Sequence, residues 1–92
     1  MTQPRITISR ASGESWQVEV RSEKTTTHTV TIPAGFRERL DLGGIAPERL
    51  LEESFRFLLE REPNTSILST FGLPLIGSYF PDYETEIVRR LR

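Results

Sequence analysis

A chain of 92 residues with a formal net charge of −1, 36% hydrophobic and 27% charged residues has room for one core only, which excludes an enzyme built around a cleft between two lobes. It contains no cysteine, which removes disulfide, thiolate, iron–sulfur and cysteine–zinc chemistry together. Leu, Ile, Val and Phe together exceed the roughly 20% level below which chains stay disordered, so a folded single domain spanning 1–92 is expected.

The first third alternates as half-buried strands do. Ile6 and Ile8 share one face, as do Trp16, Val18 and Val20, and later Val30 and Ile32. The opposite faces carry Arg5, Thr7 and Ser9, then Gln17, Glu19 and Arg21, then Thr27, Thr29 and Thr31. Turn-forming residues at Ala11-Ser12-Gly13-Glu14 and Ser22-Glu23-Lys24-Thr25 separate the runs. A three-stranded antiparallel meander over 4–33 follows, with the rest of the chain, 34–92, helical.

Pro33 ends the alternation and suits the first turn of a short helix from Ala34 to Leu40, stopped by Asp41-Leu42-Gly43-Gly44. Pro47 opens the strongest helix, which Pro63 closes. Its apolar positions (Leu50, Leu51, Phe55, Phe57, Leu58 and Leu59) cover about 200° of circumference, so it requires packing partners on two sides. Asn64 then reads as the N-cap of a turn carrying Ile67, Leu68 and Phe71, up to Gly72. Leu73-Pro74-Leu75-Ile76 starts another short helix or turn reaching Tyr79 and Phe80. A last helix beginning at Pro81-Asp82 repeats Tyr83, Ile87 and Leu91 at a spacing of four. The fold class is α+β: a meander, a central amphipathic helix and short C-terminal helices.

Nothing in the chain assembles a catalytic constellation. His28 is the only histidine, no serine lies in a G-x-S-x-G elbow, and Gly43-Gly44 fits neither glycine-rich phosphate motif. The carboxylates Asp82 and Glu86 are spaced to share a helix face, but no third ligand converges on them, so no metal or cofactor is expected. Among the basic residues only Lys24 is lysine and the other eleven are arginine, a choice suited to bidentate contacts with carboxylate or phosphate. The polar start Met1-Thr2-Gln3-Pro4-Arg5-Ile6 lacks a signal-peptide core and no run is long enough to span a membrane, so a cytoplasmic location and no membrane partner are expected.

Surfaces are more informative than motifs. The segment from Phe71 to Tyr83 is rich in aromatic and aliphatic residues for so small a chain, and part of it is expected to face a protein partner or a second copy. The expected contact residues are Leu73, Ile76, Tyr79 and Phe80. The leading reading is a non-enzymatic interaction or regulatory module. Separately, Thr29-Val30-Thr31-Ile32-Pro33, then Phe36-Arg37-Glu38-Arg39-Leu40, a Gly turn and the run Pro47 to Glu62 resemble ribbon-helix-helix DNA-binding proteins, many of them antitoxins, over about 27–62. That resemblance implies a homodimeric transcription regulator whose strands pair between two chains and enter the major groove, with Thr27, Thr29 and Thr31 as its readers. The family's ribbon usually carries basic or amide side chains where this one offers threonines. A third reading is a small enzyme using His28 with a nearby carboxylate.

Overall fold

The computed structural model describes residues 3–92. Strands β1 (Arg5–Ser12), β2 (Ser15–Arg21) and β3 (Thr25–Thr31) form the antiparallel meander that the alternation predicts. Its register aligns the apolar set across the strands: Ile8 opposite Val18, Val18 opposite His28, Ile6 opposite Val20, and Trp16 opposite Val30. Trp16, Val18, Val20 and Val30 are buried on that face. The β1–β2 connection turns through Gly13 at φ 52°, a left-handed conformation that glycine adopts without the steric cost of a Cβ.

Helix α1 (Phe36–Arg39) is a single turn that buries Phe36. It starts later than Pro33 predicts because Gly35, at φ 84°, redirects the chain first. Helix α2 (Pro47–Leu59) begins at Pro47 as expected and buries Leu50, Leu51, Ser54, Phe55, Phe57 and Leu58. Its two aromatic residues face different partners. Phe55 packs against the His28 ring at 5.4 Å and Phe71 at 6.0 Å on the sheet side. Phe57 meets Tyr83 at 5.3 Å and Phe80 at 5.9 Å, edge to face, on the other side. The wide apolar surface of α2 thus finds the two partners it requires.

The chain beyond α2 departs from the expected turn over Ile67, Leu68 and Phe71. After a 3₁₀ turn (Asn64–Ser66) it runs extended and adds a fourth strand, β4 (Thr70–Gly72), parallel to β3 with Phe71 opposite Val30. Three residues are too few to show a period of two, and the pairing exists only because α1 and α2 carry the chain back across the sheet. Asn64 does not cap the turn with its side chain. Its amide instead donates to the Lys24 carbonyl and the Thr26 hydroxyl, both at 2.9 Å.

Helices α3 (Pro74–Tyr79) and α4 (Tyr83–Leu91) complete the fold, and α4 turns Tyr83, Ile87 and Leu91 inward. The Tyr83 phenol meets the Ser54 hydroxyl at 2.7 Å in the interior. Ion pairs fasten α4 from outside. Arg39 of α1 grips Glu84 with both terminal nitrogens, Arg90 joins Glu60 to Glu86, and Arg92 reaches Asp41. Three of the eleven arginines thus hold α4 through a bidentate contact and bridging contacts. No helix among the described residues is long and apolar enough to cross a membrane.

Candidate functional site

A groove of about 470 Å³ lies between the end of α2, the extended segment after the 3₁₀ turn, and α3. Local chemistry sets its walls. Pro63 stops α2, the segment Ile67–Leu73 is drawn along β3, and Pro74 starts α3 at its first helical position. Buried Leu58, Ile67, Phe71 and Ile76 form the floor. Leu68, Leu75, Tyr79 and Phe80 line it nearer to solvent.

Among the described residues the large hydrophobic side chains left exposed are Leu68 at 48%, Leu75 at 37% and Tyr79 at 66%, and all three line this one groove. Scattered exposed apolar residues are ordinary, whereas their convergence on one concavity makes this groove the candidate site of the molecule. Volume and lining are in the range of sites that take an apolar segment or a small apolar molecule.

Of the expected contact residues, Ile76, Tyr79 and Phe80 line the groove and Leu73 does not. Leu73 is fully buried and its amide donates to the Thr31 carbonyl at 3.0 Å, so it anchors the chain to β3 and its place among the contact residues is corrected to the core. Ile76 is also buried, as part of the floor. Sequence reasoning missed Leu68 and Leu75. Leu68 falls in the stretch that the sequence presents as a short turn after Asn64, and its exposure follows from the fourth strand, for which the sequence carries no local signal. Leu75 adjoins Ile76 on α3, a helix too short for its outer face to be told from its inner one.

The charges nearby are asymmetric. Arg61 lies 3.6 Å over the Phe57 ring and pairs with Asp82 at 3.0 Å and Glu60 at 3.5 Å. Glu62 lines the groove, and among the described residues it makes no ion pair. The groove therefore carries one uncompensated carboxylate.

Thr27, Thr29 and Thr31 share the outward face of β3, with Thr27 and Thr29 exposed. β3 is hydrogen-bonded to β2 along its whole length and to β4 at Thr29–Thr31, so at those positions neither edge is open to a strand from another chain. His28 is only 2% exposed. Its Nδ1 lies 2.7 Å from the Leu68 carbonyl, which can only accept, so Nδ1 carries a hydrogen, and in the neutral ring Nε2 accepts from the Thr26 hydroxyl at 2.8 Å. Both ring nitrogens are thus engaged inside the fold. Asp82 and Glu86 each pair with arginines, and no group of three metal-ligating side chains occurs among the described residues. Compared with known proteins, the chain matches no family model, no curated protein and no solved structure.

Proposed function

We propose that the chain is a non-enzymatic interaction module, acting in the cytoplasm, whose groove holds a short apolar segment of a protein partner. The observation that carries this reading is the convergence of Leu68, Leu75 and Tyr79, the exposed large hydrophobics, on a single concavity. A groove lined in this way recognises two or three apolar side chains presented at helical or extended spacing. The threonine face of β3 remains a second, polar surface, and DNA is the partner that the strand–helix–helix resemblance would give it.

Selection from a random peptide library tests the groove directly. Peptides that bind the native chain should lose binding to the Leu68→Ser/Leu75→Ser/Tyr79→Ser variant, which removes exposed groups only and should keep its circular dichroism spectrum. Selected peptides that bind this variant and the native chain equally would place the interaction elsewhere. Duplex DNA binding that falls steeply with salt and is lost in a Thr27→Ala/Thr29→Ala variant would favour the β3 face instead.

A further inference from the structure

Resting on the groove reading, we infer that the occupant is a cationic amphipathic segment: a short stretch with apolar side chains for the groove and a lysine or arginine set against Glu62. The carboxylates around this corner are otherwise matched within the chain. Glu60 pairs with Arg61 and Arg90, and Asp82 with Arg61. Glu62, one residue further along, lines the apolar groove with no such partner among the described residues. A partner that closes over it must either neutralise this carboxylate or strip it of water without compensation, which is costly. An incoming cation solves that problem, and an incoming acid makes it worse.

The aromatic lining points the same way. Phe71, Tyr79 and Phe80 border the groove, and aromatic faces attract cations most strongly where water is excluded. The chain already uses this chemistry in the same corner, where the Arg61 guanidinium lies over Phe57 and within 5.9 Å of the Phe80 ring centre. Size limits the segment. Helix α3 has six residues and a length of about 9 Å, enough to border roughly two helical turns of an occupant. A second copy of the chain is the weaker candidate. Among the described residues the exposed large hydrophobics are confined to the groove, so no broad apolar face suited to a self-complementary dimer is left uncovered.

The test uses two fluorescein-labelled twelve-residue peptides of identical leucine spacing, one with lysine and one with glutamate at every polar position, followed by fluorescence anisotropy. The lysine peptide should bind at least tenfold tighter than the glutamate peptide. Glu62→Gln should weaken the lysine peptide several-fold and narrow the gap between the two, whereas Glu23→Gln, in the β2–β3 turn, should change neither. Equal affinities, or a Glu62→Gln variant that discriminates as the native chain does, would overturn the cationic occupant and leave the groove reading standing. Failure of both peptides to bind would overturn both. A concentration-dependent dimer in sedimentation, abolished by Tyr79→Ser, would replace the cationic segment with a second copy.

Discussion

His28 and Leu68, forty residues apart in sequence, are joined by a 2.7 Å hydrogen bond from the ring Nδ1–H to the main-chain carbonyl. The bond ends a relay in which the Asn64 amide donates to the Thr26 hydroxyl, the hydroxyl to His28, and the ring to Leu68. One end is buried against Phe55 and the other holds the segment whose side chain forms a lip of the groove. The only histidine of the chain therefore acts as a strut behind the candidate site.

Removing the ring should loosen this arrangement. His28→Leu keeps most of the volume but leaves the Leu68 carbonyl and the Thr26 hydroxyl without their partner, an expected loss of roughly 1–3 kcal/mol in urea unfolding. Thr26→Val should cost a comparable amount. The two changes together should cost less than their sum, because they interrupt one relay. Strict additivity would show that His28 and Thr26 act independently.

The interior pair Ser54 and Tyr83 predicts an asymmetry. Ser54→Ala strands a buried phenol and should destabilise by roughly 1–3 kcal/mol, whereas Ser54→Ala with Tyr83→Phe removes both polar groups and should recover part of that loss. Denaturant midpoints of the native chain and these two variants decide the matter. A double variant less stable than Ser54→Ala alone would contradict the geometry.

Burial also raises the pKa of the Tyr83 phenol well above its ordinary value of 10, with the Ser54 hydroxyl opposing the shift more weakly. The folded state holds this proton more tightly than the unfolded one. The resulting stability is complete below pH 10 and is lost as the pH rises beyond it. In a Tyr79→Phe background, which leaves Tyr83 as the only tyrosine, phenolate absorbance should appear together with unfolding. Ionisation while the circular dichroism remains native would refute the burial.

At the acid end Glu86 is the group to follow. Hydrogen bonds from Arg89 and then Arg90 hold its carboxyl down to about 2, against 4.5 for the free group. A lowered folded pKa contributes stability that is present above 4.5 and is lost as pH falls from there towards 2. Glu86→Gln should flatten the acid limb of the stability curve over that interval, and the difference should shrink in high salt because the carboxylate is close to solvent. An unchanged acid limb would show that these pairs are too mobile to matter.

The meander, the central helix and the terminal helix were legible because each repeats its apolar residues over enough positions to declare a period: Trp16, Val18 and Val20 at two, and Tyr83, Ile87 and Leu91 at four. What escaped was set by distance. Thr70–Gly72 becomes a strand only beside Thr29–Thr31, Asn64 spends its amide on residues of the β2–β3 turn and β3, and Leu73 is core because Thr31 accepts its amide proton. The groove shared that fate in part. Ile76, Tyr79 and Phe80 could be named from the density of apolar residues, while Leu68 depended on a strand that no local pattern announces and Leu75 on a helix too short to show which face is outward.

The parallel pairing of β3 with β4 has a consequence for how the molecule comes to be. The meander closes through short turns, and its loops are quick to form. β4 must wait for the whole passage from Pro33 to Ser69 to be laid across the sheet, a slow, entropically expensive closure. The concavity beside it, floored by Phe71 and Ile76, is therefore among the last features to mature. A partner that recognises it would therefore engage the completed fold and not the unfolded chain, because the floor and lip of the groove come from segments joined only across that parallel pairing.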